Sequence, residues 1–319
     1  MTTTAQLSPG QARVVDPVLS EHARGYRQPG LVGRSLFPLA PVPIYAGKII
    51  QFGKEAFRLV NTSRAPGTAT KRINFGYQGE PYAIMPSSLE ATVPRELMRD
   101  ASQVPGIDLG TRAINTVLRV MQLGHENSCA TIARNTASYD ANHQMALSGT
   151  SAWSSSTSTP SADIATGSEA IRSSIGVYPN TALLSAKAMK NLRFHPEIID
   201  RIKYTGRDSV TAQLLGQLWN IENVVVGAAM TADPVTDVFG DVWGADVVLA
   251  YVAPSGGGDA SANAEEPSYG YTYLIEGMPL VEAPYWDPNT KSWVYGVSFD
   301  YAPVLSGMQG GYLITGAGN

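Results

Sequence analysis

Residues 163–204, DIATGSEAIRSSIGVYPNTALLSAKAMKNLRFHPEIIDRIKY, read as helix, tight turn, short buried strand, helix, proline break and helix. Thr166 and Glu169 have the Thr-x-x-Glu spacing of a capping box, in which side chain and backbone satisfy each other's unpaired amides at a helix start. Ile164, Ile171 and Ile175 fall on one helical face, and Gly176 can close the helix in the left-handed conformation. Tyr178-Pro179-Asn180 is a turn signal, and Thr181–Ser185 is a short apolar strand. Pro196 suits the first turn of the next helix, where its missing N–H costs nothing. Alternation of helix and buried strand places an α/β unit here.

Upstream, Asp108 is a plausible N-cap for the longest helix. Ile114, Val117, Leu118, Met121, His125, Cys129, Ile132 and Ala133 follow at spacings of three and four, a stripe that predicts a helix to about Ser138. Ten of the fifteen residues from 148 to 162 are Ser or Thr, which predicts a mobile loop or linker. Downstream, Val210–Trp219 reads as a helix. Val224–Val226, Val247–Val252, Tyr271–Glu276, Ser292–Phe299 and Tyr312–Thr315 read as strands, with Trp293, Tyr295, Val297 and Phe299 alternating onto one face. Residues 255–267, SGGGDASANAEEP, read as an exposed loop.

The N-terminal 45 residues are rich in proline and glycine, and each proline also extends the residue before it. One short helix near Leu19–Tyr26 is expected there. Leu31, Val32, Leu36, Phe37, Leu39, Val42, Ile44 and Tyr45 make this segment too apolar for a solvated tail. An arm lying on another subunit reconciles its irregularity with its hydrophobicity. Residues 47–84 read as a long hairpin with Arg64, Lys71 and Arg72 at or near its tip. A two-stranded ribbon is marginal alone in water, so it packs either on its own domain or on a neighbour.

Composition excludes several classes. The 319 residues contain a single cysteine, so no intrachain disulfide forms. The first fifteen residues lack the apolar core of a secretory signal, and no run approaches the ~18–20 apolar residues of a membrane span. Residues 1–110 carry 12 Lys/Arg against 8 Asp/Glu, whereas from Asp208 onward there are 13 acids and one base, Lys291. The acidic part is either a solvated surface or the complement of a neighbour's basic third. It is a poor nucleic-acid contact, which needs Lys/Arg to displace counterions.

No catalytic set emerges. His125, Glu126 and Cys129 touch the His-Glu-x-x-His zinc pattern, but the second His is a Cys and no third ligand is evident, so they read as a core-facing group. His195 reads as a helix-entry residue. There is no nucleophile elbow, phosphate loop or dinucleotide fingerprint. The aromatics from Trp286 to Tyr301 read as sheet core and subunit interface, with a ligand-binding face as the alternative. Neither an enzymatic activity nor a cofactor or metal is expected.

The segment G-x-x-P-N-T-A-L-L-S (176–185) followed by L-x-x-H-P (192–196) resembles the shell-forming major capsid proteins of tailed phages with the Hong Kong 97-type fold. The order of elements along most of the chain is similar as well. The resemblance implies an α+β fold: an N-terminal arm (1–45), an extended loop hairpin (46–86), a peripheral domain with a long spine helix and β-sheet (87–160), an axial α/β domain (161–270) and return strands of the peripheral domain (271–319). It implies a structural protein of the virion, assembled in the host cytoplasm from pentamers and hexamers into an icosahedral shell around double-stranded DNA. Its implied partners are copies of itself, a portal, scaffold or decoration proteins, and DNA through non-specific inner-surface contact, with no membrane. Assembly-interface candidates are Arg24, Arg27, Phe37, Arg64, Lys71 and Arg72. Some members link the hairpin to a neighbour by a Lys–Asn isopeptide bond; Lys48, Lys54 and Lys71 lie near it, and no such link is expected. Two alternatives remain: a compartment of the same fold holding protein cargo, and an aromatic-rich binding module or hydrolase.

Overall fold

The spine helix, α3 (Leu109–Ala133), joins two hydrophobic cores. At 25 residues it is roughly 37 Å long, long enough to belong to both. The computed structural model describes residues 20, 23, 30–48, 63, 81–101, 108–203, 209–253 and 268–319. Asp108 caps the helix as its sequence predicts, accepting from Gly110 N at 2.9 Å. The helix stops five residues short of Ser138. Asn135 accepts from Ala137 N and opens a separate 3-10 turn, and Arg134 is drawn away to Asp246 (2.6 Å) and the Val242 carbonyl (3.0 Å).

The N-terminal half of α3 buries Ile114, Val117, Leu118 and Met121 against a sheet built on β14 (Ser292–Ser298). β14 pairs antiparallel along its whole length with β4 (Ser88–Pro94), which leads directly into α2 (Arg95–Ala101), and on its other side with β12 (Leu280–Val281) and β13 (Tyr285–Asp287). Tyr295, Val297 and Phe299 enter this core. Trp293, expected beside them, lies at the open end of the face, edge-on to Trp286, while Val294 on the opposite face is buried.

The C-terminal half of α3 packs on a five-stranded sheet in the order β5 (Gln144–Ala146), β16 (Gly311–Thr315), β10 (Val247–Ala250), β6 (Thr181–Ser185), β7 (Asn223–Gly227). Its central strands, β6, β10 and β16, are covered on both faces. Ala182, Leu184, Val247, Leu249, Tyr312 and Ile314 face one core, and Leu183, Val248 and Leu313 the other, as the two-residue period requires. The first core is closed by α4 (Pro160–Ile175), α5 (Ala186–Phe194), α6 (Pro196–Ile202) and α7 (Ala212–Trp219). The outer strands are β5 and β7. This sheet therefore takes strands from both sides of the boundaries placed at 160 and 270.

The helix–turn–strand reading of 163–204 holds, with one correction at its start. α4 begins at Pro160, not at a Thr166–Glu169 box. Thr166 instead bonds back to the Ala162 carbonyl, and Glu169 pairs with Arg172. Gly176 ends the helix at φ 78°, as expected. The Ser/Thr-rich stretch is a second correction. Trp153 is buried there and donates to Asp163 at 2.8 Å, so the loop is pinned to α4.

The third correction concerns the arm. Leu36, Phe37 and Ala40 are fully buried within their own chain. A short turn, α1 (Gly33–Leu36), docks on α3, and β1 (Leu39–Val42) pairs in parallel with β11 (Tyr271–Ile275), which pairs in turn with β15 (Tyr301–Val304). The hydrophobicity of 31–42 is thus satisfied internally, while Ile44 and Tyr45 stay exposed. Of the long hairpin, only its base is described, β2 (Ala46–Lys48) paired with β3 (Pro81–Ala83). Its tip and the 255–267 loop lie outside the described residues.

Candidate assembly site

The residues that resemble catalytic groups are engaged in holding the fold. Glu126 sits on α3, only 1% exposed. Its Oε1 accepts from Val32 N (2.9 Å) and from Trp243 Nε1 (2.7 Å), and its Oε2 accepts from Gly33 N (2.7 Å). The α1 turn has no capping side chain of its own, so Glu126 satisfies its orphan amides from another element. Gly33 permits the approach: a Cβ there would lie 2.8 Å from Glu126 Oε2. Sequence reading missed this role, although a carboxylate inside an otherwise apolar stripe was its signal.

His125 is turned away from that carboxylate. Its Nε2 lies 2.9 Å from Thr272 Oγ1, and Cys129 Sγ lies 3.5 Å from the ring. Burial, aided by Arg34, pushes its pKa down to about 3, so it is neutral. Burial also pushes the Cys129 thiol up, which leaves it unreactive. Among the described residues, no group of three or more His, Cys, Asp or Glu is placed to hold a metal.

His143 has the connectivity of a nucleophilic triad, with Nδ1 2.7 Å from Asp140 Oδ1 and Nε2 3.0 Å from Ser174 Oγ. Ser174 lies in the last turn of α4, where carbonyls rather than N–H groups point outward, so no oxyanion would be stabilised there. The string ties the 140–146 segment to α4. His195 caps α6 through Nδ1, which accepts from Glu197 N. Its Nε2 lies 3.0 Å from both the Ser155 carbonyl and Ser158 Oγ, so one imidazole starts a helix and anchors the Ser/Thr loop. A cleft of about 620 Å³ between α4, α6 and α7 is lined by Tyr178, Trp219, Glu197 and Arg201. Its Arg201 is already paired with Glu197 at 3.1 Å.

What the chain leaves open is apolar surface. The hairpin of β8 (Met230–Ala232) and β9 (Phe239–Asp241) exposes Val235 at 90% and Phe239 at 69%, with Met230 and Val238 beside them. The end of α5 exposes Phe194 at 75%, and α6 exposes Ile199. Large apolar groups gathered in this way mark protein–protein contacts. Of the interface candidates read from sequence, Phe37 is enclosed by its own chain, its ring 5.5 Å from that of Tyr269. Arg24, Arg27, Arg64, Lys71 and Arg72 lie outside the described residues. Among the described residues, no helix is long and apolar enough to cross a membrane.

A family model described as phage major capsid protein E matches residues 138–297. The major capsid protein of Burkholderia phage BcepMu is 38% identical over 304 residues, which cover 95% of this chain and 97% of that protein. The crystal structure of a phage-related protein from Bordetella bronchiseptica is 61% identical, with a TM-score of 0.82 over 97% of this chain and 99% of its own. The capsid of cyanophage P-SCSP1u shares the fold alone, with 8% identity and a TM-score of 0.55 over 98% of this chain and 91% of its own.

Proposed function

The chain belongs to the phage major capsid protein E family, and we propose that its copies close as pentamers and hexamers into an icosahedral shell around double-stranded DNA. Its function is that of a phage major capsid protein: a structural, self-associating component of the virion, not an enzyme. The protein-cargo compartment and the binding module or hydrolase give way to that membership. The observation that carries the reading is 38% identity to a major capsid protein across nearly the whole length of both chains.

In this reading residues 161–270 face the capsomer axis, 87–160 and 271–319 form the periphery, and the arm outside its internally packed stretch 31–42, together with the 46–86 hairpin, reaches neighbours. Arg24, Arg27, Arg64, Lys71 and Arg72 supply positive charge at those contacts. Such pairs set register and specificity more than affinity. Assembly takes place in the host cytoplasm, with a portal at one vertex, scaffold or decoration proteins as further partners, and DNA held by non-specific contact with the inner surface.

The test is to express the full chain, weigh it by light scattering and image it in negative stain. Closed shells or ring-shaped capsomers are expected; a monomer at every concentration and salt would sink the reading. Reversing Arg64, Lys71 and Arg72 to Glu should weaken inter-capsomer contacts most at low salt, where charges are least screened.

A further inference from the structure

We propose that the hairpin at residues 230–241 inserts against the Lys190–Phe194–Ile199 surface of an adjacent copy, making a head-to-tail contact around the capsomer ring. The inference rests on the capsid reading and adds the surfaces that meet.

The hairpin is built to present its apolar tip. β8 and β9 pair only with each other among the described strands, with Ala232 opposite Phe239 and Met230 opposite Asp241. The turn between them is held firmly: Asp233 Oδ1 accepts from Val235 N and Thr236 N, both at 2.8 Å, and Asp237 N donates to the Asp233 carbonyl at 2.9 Å. Val235 and Val238 therefore stand in water on an ordered scaffold, beside Phe239 and Met230. A ribbon of two three-residue strands has little stability of its own, so a partner surface that covers these apolar side chains is favoured.

The proposed socket has the complementary character. Phe194 ends α5, one turn beyond Lys190 on the same helical face, with Arg193 beside it and exposed Ile199 on α6. Neither Lys190 nor Arg193 has an ion-pair partner among the described residues. The hairpin carries Asp233 and Asp237 next to its apolar groups, also without a basic partner among the described residues, while Asp241 at its base pairs with Lys187 of α5 in the same chain at 3.1 Å. Acid beside apolar thus meets base beside apolar.

Symmetry selects this arrangement over self-pairing. A ring is closed by a heterologous contact between two different patches of the same chain. Hairpin against hairpin would bring Asp233 and Asp237 near their own copies, a like-charge juxtaposition that opposes association. Hairpin against the Lys190–Arg193 surface meets two bases instead, with Asp200 beside Ile199 as the nearby acid and Glu197 already paired with Arg201.

The test uses the full chain with Val235→Cys and Phe194→Cys, singly and together, assembled and then oxidised with diamide. The double variant is expected to give a ladder of covalently linked subunits on a non-reducing gel, while neither single variant does. A Val235→Cys dimer without a ladder would mean that hairpin meets hairpin and would overturn the proposal, as would shells that show no cross-link. Separately, Phe194→Asp should raise the subunit concentration needed for assembly by about tenfold or more and leave the melting temperature of the unassembled subunit unchanged. If the wild-type chain assembles and Phe194→Asp assembles equally well, this contact is wrong and the capsid reading stands. If the wild-type chain never assembles, the capsid reading itself fails.

Discussion

Trp243 donates its indole N–H to Glu126 across 117 residues of sequence, at 2.7 Å. The same carboxylate accepts from Val32 and Gly33, so the turn within the arm, the spine helix and the segment before β10 meet on one buried side chain. Glu126→Ala should leave two buried donors and one half-buried donor without partners and cost about 3 kcal/mol. Glu126→Gln keeps the shape but turns one acceptor into a donor, and should fall between. Urea unfolding followed by tryptophan fluorescence measures both. A loss below about 0.5 kcal/mol for the alanine variant would mean that water replaces the carboxylate.

His125 predicts an acid limb of stability. Its folded-state pKa is depressed from 6.5 to about 3 because the ring is buried and Arg34 lies close. The folded state therefore prefers the neutral ring. The stabilising contribution is complete above pH 6.5 and is lost progressively as pH falls toward 3, at up to about 1.4 kcal/mol per unit. Denaturant melts of His125→Gln should show a shallower fall between pH 6 and 4 than wild type. Parallel curves would count against this origin.

His195→Ala removes a helix cap and the anchor of the Ser/Thr loop together. The cap alone is worth about 1 kcal/mol. His195→Asp can still cap α6 but cannot reach Ser155 and Ser158, so it should recover most of the stability while the loop remains loose. Limited proteolysis between residues 148 and 159 separates the two: both variants should be cut faster than wild type, and equal protection of His195→Asp would contradict the anchoring role.

Gly167→Ala should destabilise, against the usual helical preference. Alanine is ordinarily better than glycine in a helix by about 1 kcal/mol. Here a Cβ would lie 2.7 Å from Tyr312 Cδ1 and 2.8 Å from Leu249 Cδ1, because α4 rides directly on the sheet. Overpacking costs typically about 1–3 kcal/mol, so a net loss is expected in thermal melts. A gain would mean that Tyr312 can move aside.

An arm truncation should stop before Ser20. Ser20 Oγ lies 3.0 Å from Val281 N and 3.3 Å from the Val281 carbonyl, so it belongs to the peripheral core. Removing residues 1–19 should leave the melting temperature nearly unchanged and impair assembly, as read by light scattering. Normal assembly would exclude residues 1–19 as a strap between subunits.

Local chemistry made much of this molecule legible. Asp108, Gly176, Pro196 and the Ile164–Ile171–Ile175 stripe act through neighbours within a turn or two, so residue type and spacing were enough to place α3, α4, β6 and α6. The same locality misled at Thr166–Glu169, where a box-like spacing lies inside a helix already begun at Pro160. The Ser/Thr loop looked mobile because its anchors, Asp163 and His195, become visible only when α4 and α6 pack beside it.

By itself, the sequence determined the buried strands, the long helix, the lack of a recognisable catalytic motif and the α/β unit that carried the family resemblance, because these depend on periodicity and short-range caps. Only the tertiary structure decided which side of an ambiguous segment won. It turned Leu36 and Phe37 into core of their own chain, made Glu126 a three-way buried acceptor, and left Val235, Phe239 and Phe194 in water. Burial and hydrogen-bond satisfaction are properties of the whole packed chain, and residues more than a hundred positions apart settle them together.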